Sequence, residues 1–339
     1  MLARWNEALS VQIEASGNLH DALVIGGGPA GLSAALQLAR WCRSVVVVSR
    51  DQPGRAEWPQ VNHNYLGFPD GIRARELLRR GREQVERYGV RFYETELTRL
   101  SFDEASRTFR ADGSDLRLRA RAVLLATGVI DRWVVFPGYE AFIGRSLHWC
   151  IVCDGYEMRG KRVIVAGNDE HTATMAIQMQ RFTPDVVVVT NSGALGMPRS
   201  VEERLDQHGI RLIVDRIVGA RSRAGEPGML ATVLLERGEV IEGDHLFSLQ
   251  GSDPEVALAA ALGVRRNADG FIDADIEGKT SVPGVYAAGD VTRLFSHQIA
   301  AAVHEGGLAA NALNFFLFER DEEAFQMSFR NAVDGAGSG

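Results

Sequence analysis

The chain has 339 residues, 45% apolar and 24% charged, which suits a folded globular protein with room for two domains that each have a core. Its 44 acids against 37 basic residues leave a net charge of −7, so it has no general attraction to nucleic acid or anionic lipid. No stretch approaches the ~20 consecutive apolar residues of a membrane span, and the first residues lack a basic region followed by an apolar core, so a cytoplasmic protein that binds no membrane is expected.

Residues 1–20 read as an extension in which Leu2, Trp5, Leu9 and Val11 suggest a short packed helix. Asp21 opens a short apolar run, followed by helical spacing over residues 30–40 and a valine run over residues 44–48. This is a βαβ unit on a parallel sheet, opened by the fingerprint Gly26-x-Gly28-x-x-Gly31. Those glycines let the turn close, let backbone amides reach a pyrophosphate, and let the helix pack on the sheet. The acid that would hold a ribose after the second strand is Asp51, in a late register. Cys42, near the end of the helix, reads as a buried packing residue.

Residues 71–88 have the spacing of an amphipathic helix, and seven arginines against three acids between Gly71 and Arg91 give it a basic face that solvent alone can account for. Residues 90–119 change to short period-two runs, an antiparallel meander, and residues 122–128 return to a buried strand.

Next comes Cys150-Ile-Val-Cys153, followed at once by Asp154-Gly155. A thiol attacks as thiolate, and an ordinary cysteine with a pKa of ~8.5 is mostly protonated at neutral pH, so a working pair needs an acid/base partner. Asp154 supplies one. A zinc site would have to borrow His148 and a distant ligand, so no metal is expected. A second βαβ unit follows, with a strand over residues 162–166, a helix over 171–182 and a strand over 185–190. Its turn reads Gly167-Asn168-Asp169-Glu170-His171-Thr172, so Asp169 and Thr172 stand at the second and third glycine positions. Two like charges at about 4 Å repel by about 4 kcal/mol at an effective dielectric of about 20, so a pyrophosphate is disfavoured there.

The remainder reads as a helix over residues 201–208, strands over 210–214, 229–236 and 245–249, and the strand Gly284-Val-Tyr-Ala-Ala-Gly-Asp290 with an acid at its tip. A long, largely apolar helix over residues 296–318 is expected, capped by Ser296. The order is split, with hinges near residues 132–137 and 250–253. The fold class is therefore α/β, with two Rossmann-like, three-layer ββα dinucleotide-binding-type domains, the second inserted in the first. The outer domain takes residues 21–131 and 252–325, the inner 132–251, and residues 326–339 form a flexible tail.

Gly-Gly-Gly-Pro-Ala-Gly at 26–31, Asn64-Tyr-Leu-Gly-Phe68, Ala126-Thr127-Gly128, the dithiol with Asp154, and the strand ending in Gly289-Asp290 together resemble the low-molecular-weight thioredoxin reductases, in order and over most of the chain. The resemblance implies that FAD is held by Gly26, Gly28, Pro29, Ala30, Gly31, Asn64, Ala126, Thr127, Gly128, Gly289 and Asp290. It also places the start of the final helix, His297, Gln298 and Ile299, beside the flavin. Cys153 would be the flavin-proximal sulfur, Cys150 the sulfur that attacks a thioredoxin-like protein or small disulfide, and Asp154 the proton donor and acceptor. The family implies a homodimer.

The departure is the coenzyme site. The family holds NADPH with a glycine-rich turn and a basic cluster after the next strand, whereas this chain has acids in the turn and Thr190-Asn191-Ser192-Gly193 after the strand. The expected function is an FAD-dependent disulfide oxidoreductase that passes electrons from flavin to the dithiol without using NADPH, with reduced ferredoxin as donor. One alternative is a dithiol oxidase that hands electrons to oxygen, although its relatives carry His directly after the second cysteine. Others are an NADPH-dependent thioredoxin reductase with an unusual coenzyme site, and a non-catalytic redox-sensing flavoprotein.

Overall fold

The computed structural model describes residues 19–50, 54–293 and 295–336. The expected N-terminal helix, Asp51 and the end of the tail lie outside the described residues. Contacts divide the chain into an outer unit, drawn from Met1–Gly54, Leu78–Val129 and Pro254–Gly339, and an inner unit, Arg55–Leu77 with Ile130–Asp253.

In the outer unit β1 (Leu19–Ile25), α1 (Pro29–Arg40) and β2 (Val45–Ser49) form the first βαβ turn. Then come α2 (Ala74–Glu86), which belongs to this unit from Leu78 on, β3 (Arg91–Glu94), β4 (Leu97–Asp103), β5 (Thr108–Gly113) and β6 (Arg117–Leu125). The sheet runs β3-β2-β1-β6-β5-β4, parallel through its first four strands and antiparallel across β6, β5 and β4. Successive side chains of a strand point to opposite faces. Ala22, Val24, Val45, Val47, Ala122 and Leu124 accordingly join the core with α1, and Leu23, Ile25, Val46, Val48, Val123 and Leu125 fill the opposite one. Burial on both faces is why these strands read as unbroken apolar runs. The basic face of α2 is partly neutralised within the unit, because Arg79 pairs with Glu83, and Arg82 with Glu86 and Glu94. Cys42 corrects the expectation of burial: it is exposed, at φ 58°, in the turn that ends α1.

The inner unit holds β7 (Leu147–His148), α3 (Ile151–Asp154), β8 (Val163–Ala166), α4 (Glu170–Met179), β9 (Val186–Val189), α5 (Arg199–Gln207) and β10 (Arg211–Ile213). It continues with β11 (Ile217–Arg223), β12 (Glu226–Leu235), β13 (Val240–Glu242) and β14 (His245–Ser248). Its main sheet, β7-β14-β8-β9-β10, is parallel throughout, and β11-β12-β13 make an antiparallel sheet of their own. Arg55–Leu77, which the sequence reading gave to the outer domain, groups with this unit. Arg55 forms a bidentate pair with Asp131 at 2.7 and 2.6 Å, and Trp58 packs edge-on against Trp133.

The chain returns to the outer unit through α6 (Ala257–Ala261), β15 (Val285–Ala287) and α7 (Ile299–Ala336). β15 pairs in parallel with Val123–Leu125, while Arg117–Ala120 of the same strand β6 pair with β5, so the last strand of the expected antiparallel meander and the expected buried strand are one nine-residue strand. The helix α7 runs past the expected stop at Phe318 and through most of the expected flexible tail. Its polar second half has partners: Asp321 accepts from both Arg43 (2.6 Å) and Arg121 (2.5 Å), and Arg320 donates to the carbonyls of Arg121 and Arg107. Long as it is, no described helix is apolar enough over sufficient length to cross a membrane.

Candidate active site

Three loops meet at the carboxyl ends of the outer unit's strands, because the ladder bonds continue past the strands themselves. Gly26 donates to Val48 O (2.8 Å), Ala126 to Ile25 O (2.8 Å) and Ala288 to Leu125 O (3.0 Å). Gly26 sits at φ 114°, where a Cβ would lie 2.1 Å from Ala126 O, and a Cβ on Gly31 would lie 2.0 Å from Gly26 O. Only glycine fits either place. The helix α1 starts at Pro29 with Gly28 as an extended N-cap, no side-chain cap and no acid in its first turn. Its N-terminal amides and positive dipole end thus carry no carboxylate of their own, which suits a dinucleotide pyrophosphate.

The other outer residues gather round this turn. Thr127 Oγ1 donates to Glu255 O (2.7 Å), fixing the Ala126-Thr127-Gly128 corner. Gly289 packs between Ala30 and Ala302, and its N–H donates to Glu305 Oε2 (2.9 Å), a carboxylate held by Arg293 (2.6 Å). Asp290 follows in a short turn, and His297 Nε2 lies 2.8 Å from Arg293 O. Ser296 does not cap α7: it sits at φ 67°, and the first helical bond runs from Ala302 N to Gln298 O, which makes Gln298 the N-cap two residues later. Asn64 falls in the inner unit, within Arg55–Leu77. Glu305 was missed in the sequence, where it looks like one more polar residue on a helix.

In the inner unit Cys150 and Cys153 form a disulfide, with Cα atoms 5.2 Å apart. Cys150 is the N-cap of α3, its Sγ 3.1 Å from Cys153 N. Ile151 anchors the turn in the core while Val152 is 68% exposed, so the dithiol sits on a half-buried ledge. Trp149 before it packs edge-on against Trp133 at 5.4 Å, and Phe182 lies against Gly155 behind it. Asp154 Oδ2 is 3.6 Å from Nδ1 of the buried His148. His148 in turn stacks on Phe247 and places its Nε2 3.1 Å from His245 Nδ1. Burial, reinforced by His148, pushes His245 down to about 4. The parallel pairing of β7 with β14 brings these rings together, a juxtaposition no local spacing announces. Among the described residues no group of three or more His, Cys, Asp or Glu is arranged to hold a metal ion.

The turn after β8 keeps the first glycine of its outer counterpart, as Gly167, and differs at the second and third glycine positions. Asp169 is the N-cap of α4, and its Oδ1 accepts from Thr172 N (2.7 Å) and Thr172 Oγ1 (2.6 Å). Thr172 is fully buried against Gly167, with a side chain where the outer turn, at Gly31, has room for none. Asn168 laces the turn to the loop after β9, donating to Ala194 O (3.0 Å) and accepting from Gly196 N (2.7 Å). Glu170 adds a second exposed carboxylate, 3.8 Å from Arg204.

Comparison with known proteins agrees with this architecture. The pyridine nucleotide-disulphide oxidoreductase family model matches residues 20–306. The thioredoxin reductase of Bacillus subtilis (strain 168) is 27% identical over 311 residues, 90% of this chain and 96% of the relative. Among solved structures, HlmI superposes with a TM-score of 0.85 at 29% identity, covering 93% of this chain and 97% of that one. The atypical thioredoxin reductase TRi from Desulfovibrio vulgaris Hildenborough is 33% identical over 88% of this chain and 98% of its own, with a TM-score of 0.50. The chain belongs to the pyridine nucleotide-disulphide oxidoreductases, within which it is a thioredoxin reductase-like, flavin-dependent disulfide oxidoreductase.

Proposed function

We propose that the outer unit holds the flavin as FAD and that the Cys150–Cys153 pair, once reduced, reduces a thioredoxin-like disulfide with electrons that do not come from NADPH. The outer unit would be the FAD domain, with Gly26, Gly28, Pro29, Ala30 and Gly31 at the pyrophosphate and Asp290 toward the flavin side. When bound, FAD supplies a two-electron carrier; the chain's residues supply the sulfurs and the protons. Reduction of the disulfide takes two electrons and two protons and leaves two thiols. Cys150 as thiolate attacks the partner disulfide, breaking its S–S bond and expelling one partner sulfur. Cys153 then attacks Cys150, restoring the intramolecular bond and expelling the second. Asp154 takes the proton from the attacking thiol and returns it to the leaving sulfur.

The observation that carries the donor assignment is Asp169: the chain's own carboxylate caps α4 and bonds the Thr172 amide where a coenzyme phosphate would need that donor. A reductant for a thioredoxin near about −270 mV must be at least as low, and a ferredoxin near about −400 mV exceeds that by about 130 mV, about 6 kcal/mol for two electrons. The same reading includes a homodimer, as the family resemblance implies, in the cytoplasm. The test is anaerobic mixing of the oxidised holoprotein with NADPH, NADH or reduced ferredoxin while flavin absorbance is followed. Ferredoxin should bleach the flavin and both pyridine nucleotides should leave it oxidised; rapid bleaching by NADPH overturns the donor assignment.

A further inference from the structure

Asp154 has one close polar neighbour whose chemistry fits the exchange of a proton. His148 Nδ1 faces it at 3.6 Å and, buried, has no hydrogen-bond partner among the described residues, while the opposite ring nitrogen is occupied by His245. A shift of about 0.5 Å brings Asp154 and Nδ1 to hydrogen-bond length.

We propose that His148 is a positioning residue that stores, between Asp154 and His245, the proton taken from and returned to the sulfurs during thiol–disulfide exchange. This rests on the dithiol chemistry proposed above and does not depend on the electron donor. In the exchange, the attacking thiol gives its proton to Asp154, which passes it to Nδ1. His148 becomes an imidazolium whose Nε2–H donates to His245 Nδ1 and whose Nδ1–H faces the carboxylate. When a partner sulfur leaves as thiolate, the proton returns through Asp154 to that sulfur, and the pair is neutral again. No proton or electron is gained or lost by the store.

The surroundings suit such a store. His245 must remain a neutral acceptor, and its depressed titration keeps it so at working pH. The charged groups facing it are Asp244 on its own strand, Arg223 from β11 and Lys161 ahead of β8, with Asp244 itself paired to Arg223 and Arg162. Asp154 from α3 faces His148. The stacking of His148 on Phe247 holds the ring plane so that both nitrogens point at their partners.

The test uses the full-length flavoprotein, reduced chemically and mixed anaerobically with a chromogenic aryl disulfide, in mixtures of light and heavy water. In the wild type the exchange rate should fall along a bowed curve as deuterium increases, because more than one proton moves. His148→Asn keeps an amide facing Asp154 but cannot take up a proton, so exchange should slow roughly 10- to 100-fold and the curve become straight. His245→Leu should slow exchange in the same sense and His245→Asn, which keeps an acceptor, should restore most of the rate; this pair decides the matter if His148→Asn fails to fold. Rates and curvature within about twofold of wild type for His148→Asn, or equal rates for the two His245 variants, would overturn the store. A wild-type dithiol that does not exchange at all would overturn the proposed function together with it.

Discussion

Asp169 offers the sharpest separation between a structural and a functional role, because its carboxylate does two things that different substitutions divide. As the N-cap of α4 it accepts bonds of 2.7 and 2.6 Å from Thr172. Losing both in Asp169→Ala should destabilise the protein by about 1 kcal/mol, with about 2 kcal/mol as the ceiling for such caps, whereas Asp169→Asn keeps an acceptor and should cost only a few tenths. As a charge it opposes a diphosphate. The Coulomb repulsion at about 4 Å is about 4 kcal/mol at a dielectric of about 20 but only about 1 kcal/mol in water, and since both Asp169 and Glu170 are exposed the lower value applies to each. Removing both charges in Asp169→Asn/Glu170→Gln should therefore improve NADPH binding by about 2 kcal/mol, roughly 30-fold. Urea unfolding measures the cap, and calorimetric titration with NADPH at low and high salt measures the charge. Wild-type affinity should be poor and should rise with salt as the repulsion is screened, while the double variant should bind tighter and lose that salt dependence. Micromolar wild-type binding, or a double variant that binds no better, would refute the reasoning.

Two further outcomes follow from the geometry. His245 is held down to about 4 by burial and by His148, while the unfolded chain titrates near ~6.5, so between those values the unfolded state carries a proton the folded state lacks. Stability should fall by about 1.4 kcal/mol per pH unit through that window, about 3 kcal/mol in all, as pH is lowered; urea midpoints across it should show His245→Asn to be markedly flatter than wild type. Gly31→Ala puts a Cβ 2.0 Å from Gly26 O, so backbone must shift at the flavin turn. A loss of about 1–3 kcal/mol and protein that purifies with little flavin are expected, read from unfolding and the visible spectrum.

Much of the frame is legible in the residue order. Valine runs bounded by glycine turns mark the parallel strands, the first fingerprint marks a helix N-terminus with no acid in its first turn, and Cys150, Cys153 and Asp154 are adjacent in the chain, so their proximity needs no fold to predict it. The expectations that failed are those where a distant partner overrides a local signal. Glu319, Arg320 and Asp321 look like the end of a helix, yet Arg43 and Arg121 give Asp321 a reason to continue it. Ser296 looks like a cap, yet the backbone before α7 takes a left-handed turn there and hands that place to Gln298.

The sequence alone determined that there are two dinucleotide-type units, that only one keeps all three glycines of the fingerprint, and that a dithiol with its acid accompanies the other, because each of these is written in consecutive residues through period, turn chemistry and charge. Only the tertiary structure decided how the altered turn is used and what stands behind the acid. Asp169 had to fold back on Thr172 to become a cap rather than merely a repelling charge. His148 and His245, separated by 97 residues, meet because the register of two parallel strands in one sheet sets His148 opposite Phe247, which leaves His245, two residues earlier, diagonal to it on the same face; register is a property of the whole sheet that no local window of the chain contains.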